Sequence, residues 1–170
     1  MIELKPITIL DKNMKECVDL RVFPEQENFV ASNADSLAEA YVANKKFAEE
    51  GEGERAVPYA IYKEGVMVGF VMYGYFPPEP EEGDNAYSKD EYTYYVWRLL
   101  IDKNHQRKGI GKKVVDIIMD EIKTKPLGEA NLCYVSYEPT NVGSKTVFAN
   151  YGFEEDGRVL DGEVVARYKL

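Results

Sequence analysis

Residues 102–113, Asp-Lys-Asn-His-Gln-Arg-Lys-Gly-Ile-Gly-Lys-Lys, bring together residue types that can hold an anion. Gly109 and Gly111 allow a ligand to approach backbone that a side chain would cover. A helix that opens at this glycine turn presents unbonded N–H groups and the positive end of its dipole. Arg107, Lys108, Lys112 and Lys113 add positive charge locally in a chain whose net charge is -9. A glycine turn, a helix start and a cation cluster together describe a pyrophosphate cradle. Two familiar cradles are excluded. A P-loop needs Gly where Gln106 stands and Ser or Thr where Lys113 stands, and a dinucleotide fingerprint needs a third Gly where Val114 stands.

The elements around the cradle must position it. Before it, Tyr92 to Ile101 (YTYYVWRLLI) reads as a strand of aromatic and branched residues. After it, Ile110, Val114, Ile117, Ile118 and Ile122 fall at helical spacing over 109–124, and Lys125-Pro126 ends the helix. Ala130 to Tyr137 reads as a buried strand, Asn141 to Tyr151 as a short helix closed by Gly152, and Gly162 to Leu170 as a last strand. Upstream, residues 2–10 predict a strand with Pro6 at a sheet edge, and Asn13 predicts a cap for a helix reaching Arg21. Ser36 and Glu39 form a capping-box pair for a helix over 36–50 that stops at Gly51. Residues 57–76 predict a hairpin about Lys63-Glu64-Gly65, and the acidic, proline-rich stretch 77–91 an extended, mobile loop. The order β-α-α-β-β-β-α-β-α-β-β makes a mixed α/β sheet around one strand–helix–strand unit. A chain of 170 residues without a long linker predicts a single domain over 1–170.

Composition sets limits. Asp plus Glu number 30 against 21 Lys plus Arg, which disfavours nucleic acid or an anionic membrane as partner and suits a cationic substrate. Cys17 and Cys133 lie in apolar surroundings without metal-ligand spacing, and His105 is the single histidine, so no metal is expected. Met1 to Lys5 lacks a signal pattern, and no apolar run approaches the ~20 residues of a membrane span, so the expected location is cytoplasmic.

Gln106-Arg107-Lys108-Gly109-Ile110-Gly111 resembles the (Gln/Arg)-x-x-Gly-x-(Gly/Ala) signature of the GNAT N-acetyltransferases. Asn141, Ser144, Phe148 and Gly152-Phe153 resemble that family's second signature, and the element order resembles the family's over essentially the whole chain. Within the family, VMYGYFPPEPEE followed by RLLIDKNHQRKGIGKK is most similar to the bacterial spermine/spermidine (diamine) acetyltransferases. The resemblance implies a GNAT fold, with a sheet of six to seven strands flanked by about four helices and a central strand–loop–helix unit that binds acetyl-CoA. It implies that the strand at Leu99, Leu100 and Ile101 pairs with the pantetheine arm. It assigns the pyrophosphate to the backbone from Arg107 through Lys108, Gly109, Ile110 and Gly111 to Lys112, and counts Gln106 among the cosubstrate-binding residues. Asn141, Ser144, Lys145 and Phe148 complete the cosubstrate side. The activity implied is acetyl transfer to a small primary amine, a polyamine first, by direct attack of the amine on the thioester.

Two positions depart from the family pattern. Phe148 stands where the family's tyrosine acid is expected and has no proton to give, and Trp97 stands where polyamine members carry an acidic residue. Tyr137 is the substitute acid, with Tyr151 behind it, and His105 reads as a turn residue. Other readings stay open: an aminoglycoside or protein amine as acceptor, or a CoA-binding sensor without turnover, which Phe148 and Trp97 would suit. A homodimer is expected, because the first strand and the final alternating strand would leave sheet edges to cover.

Overall fold

The computed structural model describes residues 1–8, 12–80 and 87–170. Seven strands form one mixed sheet in the order β1-β2-β3-β4-β5-β7-β6: β1 (Ile2–Pro6), β2 (Arg55–Lys63), β3 (Val66–Phe76), β4 (Thr93–Ile101), β5 (Leu132–Tyr137), β6 (Glu154–Leu160) and β7 (Glu163–Lys169). Every neighbouring pair is antiparallel except β4 and β5. Helices α1 (Asn13–Asp19) and α2 (Asn33–Glu50) cover one face, and α3 (Ile110–Lys123) and α4 (Val142–Tyr151) cover the other. β3 is buried along almost its whole length because both faces are covered, which explains its continuous apolar run. The helix stripe holds at Ile110, Val114, Ile118 and Ile122. Val115 and Met119 are buried beside them, while Ile117 is only half-buried. Removing one of the fully buried side chains would cost roughly 2–5 kcal/mol. No helix among the described residues is long and apolar enough to cross a membrane.

Several boundaries differ from the sequence expectation, each for a tertiary reason. β1 stops at Pro6, and positions 9 and 10 of the expected strand lie outside the described residues. Asn13 does not cap α1. Its Oδ1 accepts from the Thr8 N–H at 2.9 Å and its Nδ2 donates to the Pro6 carbonyl at 3.0 Å, tying the helix to the end of β1. α2 begins one turn early, capped by Ser32, whose Oγ accepts from the Asp35 N–H at 3.1 Å. Ser36 is buried in the first turn and donates to the Ser32 carbonyl. Asn33 selects this start by donating to the Cys17 carbonyl across the α1–α2 contact. The last strand, β7, is not an edge: it lies between β5 and β6, and the edges are β1 and β6. Within the acidic loop, Glu81, Glu82 and Asp84 lie outside the described residues.

Two features of the sheet shape the site. β4 carries a bulge: Met72 pairs with Arg98 and Tyr73 with Val96, leaving Trp97 as an extra residue. Before the bulge Tyr94 and Val96 face α3; after it Leu99 and Ile101 do, while Trp97 and Leu100 pack toward α1 and α2. β4 and β5 then part. Among the described residues they pair only at Tyr94–Cys133 and Tyr95–Tyr134, so the β4 edge from Val96 to Ile101 has no neighbouring strand.

Candidate active site

A cleft of about 920 Å³ occupies the gap between the diverging strands. Its walls are β4 from Tyr95 to Ile101, β5 from Val135 to Tyr137, the start of α3 and the inner side of α4; Gln26 to Ala31 roof it. Of the residues singled out in the sequence, Leu99, Leu100, Ile101, Gln106, Arg107, Gly109, Ile110, Gly111, Lys112, Asn141, Ser144, Phe148 and Tyr137 line this one cleft. Lys108 and Lys145 do not. Lys108 Nζ donates to the Asn104 carbonyl at 2.7 Å, and Lys145 Nζ pairs with Glu155 Oε1 at 2.9 Å.

The cradle is built by local ties. Asp102, 8% exposed, accepts from the Arg21 N–H and from the Asn104 N–H, both at 3.0 Å, and from Asn104 Nδ2 at 2.9 Å. Burial works against its charge, but these bonds outweigh it and hold the Asp102 carboxyl below its ordinary range. His105 is a turn residue, its N–H donating to the Asp102 carbonyl at 2.8 Å. Arg107 and Gly109 take left-handed conformations, and Gly109 is the N-cap of α3. The Lys113 N–H makes a helical bond to the Gly109 carbonyl at 3.2 Å, so the N–H groups of Ile110, Gly111 and Lys112 precede that bond at the helix mouth. A Cβ on Gly111 would meet only Val147 Cγ2 at 3.9 Å and Ile101 Cγ1 at 4.0 Å, ordinary contacts. The protein's own packing does not require glycine there. A ligand lying against that backbone would, and the N–H groups at the helix mouth suit an anion such as a pyrophosphate.

Sequence reasoning missed the roof tie and the opposite end of the cleft. Gln26 and Gln106 exchange amide hydrogen bonds of 3.0 and 2.7 Å, and Gln106 Nε2 also donates to the Ile101 carbonyl. At the far end, on the α1–α2 side of the sheet, Ser136 Oγ donates to Glu163 Oε2. The Tyr95 hydroxyl lies 2.6 Å from Ser136 Oγ, and the Tyr87 hydroxyl donates to Tyr95 at 3.0 Å, with Ser136 at 3.2 Å. Burial, then the nearby Tyr87, push the Tyr95 phenol well above its usual range. A signal for Glu163 existed: strand alternation puts it on the same face as fully buried Val165. Tyr137 ends β5, and its hydroxyl donates to Glu155 at 3.1 Å. Burial first, then Glu155, push that phenol up to about 12. Phe148 lines the cleft and packs edge-on against Phe153. Cys17 and Cys133 are buried free thiols, and no cluster of metal-ligating side chains occurs among the described residues.

The profile of the Acetyltransferase (GNAT) family matches residues 18–153. A probable spermine N(1)-acetyltransferase of Bacillus subtilis subsp. natto (strain BEST195) and a spermine/spermidine N(1)-acetyltransferase of Bacillus subtilis (strain 168) are each 29% identical over 167 residues, covering 96% of this chain and 95% of the relative. Among solved structures, the aminoglycoside acetyltransferase AAC(6')-Ib in complex with coenzyme A matches with a TM-score of 0.70 at 17% identity, over 99% of this chain and 95% of the other. The PaiA N-acetyltransferase from Thermoplasma acidophilum, also with coenzyme A, matches with a TM-score of 0.63 at 12% identity, over 100% and 99%. At these identities the structural likeness shows the shared fold.

Proposed function

This chain belongs to the acetyltransferase (GNAT) family, and we propose that it transfers the acetyl group of acetyl-CoA to a primary amine of a polyamine. The observation that carries the reading is a cleft that joins an unpaired strand edge, a glycine cradle at a helix mouth and a carboxylate-bearing far end. The two relatives named for spermine and spermidine, each aligned over 96% of the chain, support the polyamine as acceptor, as does the net charge of -9. When bound, acetyl-CoA supplies the activated acyl group.

In this reading the N–H groups of Arg107 to Lys112 hold the pyrophosphate, with Arg107 and Lys112 adding charge, and Asn141, Ser144 and Phe148 close the α4 side. Lys108 and Lys145, outside the cleft wall, act through the local field alone. The open edge from Val96 to Ile101 offers backbone groups to the amides of the pantetheine arm, and an N–H on that edge stabilises charge growing on the thioester oxygen. Holding both reactants in one cleft supplies much of the rate. Tyr137, which lines the cleft and like any phenol is protonated at neutral pH, returns a proton to the departing sulfur. The protein works in the cytoplasm as a homodimer, the β6 edge being a surface that pairing would cover.

The test is release of CoA thiol from acetyl-CoA with a panel of amines. Spermine or spermidine should be acetylated fastest. Failure of every polyamine alongside success of an aminoglycoside or a peptide amine would discard the polyamine and keep the transferase. Thiol release with none of them, despite acetyl-CoA binding, would leave a sensor. Tyr137→Phe should lower kcat at unchanged acetyl-CoA affinity, with sedimentation checking the dimer.

A further inference from the structure

The attacking amine sheds a proton, and Trp97 on β4, which stands where the resemblance to polyamine members would put an acidic residue, cannot take it. Among the described residues two carboxylates line the cleft, Glu27 and Glu163. Glu27 is exposed on the roof. Glu163 accepts a hydrogen bond from Ser136 inside the cleft, and it lies on the α1–α2 side of the sheet with Tyr95 and Trp97.

The direction of the hydrogens follows from counting donors. Ser136 has one hydroxyl proton, and it is directed at Glu163. Ser136 Oγ therefore accepts from Tyr95 at 2.6 Å, and Tyr95 accepts from Tyr87 at 3.0 Å. Every proton in the chain points toward the carboxylate. Tyr95, Ser136 and Glu163 all form part of the cleft wall, so the chain begins where an acceptor can reach it. The charged and titratable groups around it are Tyr87, Tyr134 and Asp161, together with Arg158, whose guanidinium is bonded to Asp156 at 2.7 Å and lies over the Tyr134 ring.

We propose that Tyr95, Ser136 and Glu163 form the relay that removes the proton from the attacking nitrogen, with Glu163 as its terminal acceptor. The inference rests on the acetyl-transfer reading above. As the N–C bond forms, the nitrogen becomes strongly acidic and its N–H bond breaks, the electron pair staying on nitrogen. That proton passes to the Tyr95 oxygen, the Tyr95 proton to Ser136 Oγ, and the Ser136 proton to the Glu163 carboxylate. The C–S pair leaves with sulfur and is protonated by Tyr137; half-buried Glu163 gives its proton to water, and the Tyr137 phenolate takes one back from water. No charge resides on Tyr95 or Ser136 at the end of the step.

The experiment compares the wild-type enzyme with Glu163→Gln, Ser136→Ala and Tyr95→Phe, using spermine as acceptor and calorimetry to follow acetyl-CoA binding. General base assistance is worth about 10²–10⁴-fold. Glu163→Gln should therefore lose about 100-fold or more in kcat, with KM for spermine and acetyl-CoA affinity within about threefold of wild type. Ser136→Ala and Tyr95→Phe should each lose about 10-fold or more and reduce the solvent deuterium isotope effect on kcat. Added formate should restore part of the rate to Glu163→Ala, which a packing role would not allow. Glu163→Gln with kcat near wild type overturns the relay. So does a loss confined to KM, which would make Glu163 an ammonium anchor. A wild-type protein that acetylates no amine overturns the transferase reading, and the relay with it; an active Glu163→Gln enzyme overturns the relay alone.

Discussion

The two faces of this sheet each carry a carboxylate set against two tyrosine hydroxyls. Under α3, Glu121 Oε1 accepts from the Tyr59 hydroxyl at 2.9 Å and the Tyr73 hydroxyl at 2.6 Å. On the opposite face Glu163 is reached through Ser136 from Tyr95 and Tyr87. In both clusters burial is the main force raising the phenols, Tyr59 to about 12, Tyr73 further still, and Tyr95 well above its usual range. They differ in access. None of Tyr59, Tyr73 and Glu121 lines the cleft, whereas Tyr95, Ser136 and Glu163 all do. Residue type and raised pKa are therefore shared by a structural tie and a candidate relay, and only the parting of β4 from β5 distinguishes them.

The comparison can be broken most sharply at the cleft itself. Gly111→Val should lower acetyl-CoA affinity at least ~100-fold, since it fills the helix mouth, and should leave thermal stability almost unchanged. Its Cβ meets no backbone and valine is no worse than glycine in a helix. Affinity like wild type would mean that the cradle is not where the cosubstrate lies. Next comes the closed cluster. Glu121→Ala strands the buried Tyr73 phenol and the half-buried Tyr59 phenol and should cost about 2–4 kcal/mol in chemical denaturation, with kcat of the folded protein unmoved. A loss of kcat at full stability would remove the distinction between the faces.

A smaller and more diagnostic pair is Tyr73→Phe against Tyr95→Phe. The first should cost about 1 kcal/mol of stability without affecting turnover. The second should reduce turnover and affect stability less, so the two variants should exchange signatures. The smallest effect concerns pH. The folded-state pKa of Asp102 is depressed, so its contribution is present above the unfolded carboxylate value near 4 and is lost as pH falls through the folded value. Acid titration of the melting temperature should show this loss, and Asp102→Asn should flatten it.

What was legible in the sequence is what is contiguous. The cradle, its strand and its helix lie within about thirty residues, so glycine, charge and period could be read together. Gly51 and Gly152 end their helices in the left-handed conformation as read. Helix α2 began at the wrong serine because Ser32-Asn33-Ala34-Asp35 and Ser36-Leu37-Ala38-Glu39 are both capping sequences. The choice between them is made by Asn33 bonding to Cys17, a contact between helices. β7 was read correctly as a strand but placed at an edge, since alternation identifies a strand's faces and not its neighbours. Glu163 stayed hidden for a related reason. It comes from a strand some fifty residues beyond the cradle, and only the insertion of β7 beside β5 brings it against Ser136.

The extra residue at Trp97 acts as a phase shift in the strand. Upstream of it the even-numbered positions Tyr94 and Val96 face α3; downstream the odd-numbered Leu99 and Ile101 do. The cradle follows Ile101 directly, so the face from which α3 departs is set by that one-residue slip. Deleting Trp97 would leave the cleft's composition nearly intact yet rotate everything after it by half a turn. Leu99 and Ile101 would exchange sides with Leu100, and α3 would be launched toward α2 instead of over its own core. The position is therefore one where length matters more than identity. A different side chain at 97 would keep that register, and the absence of a residue would not.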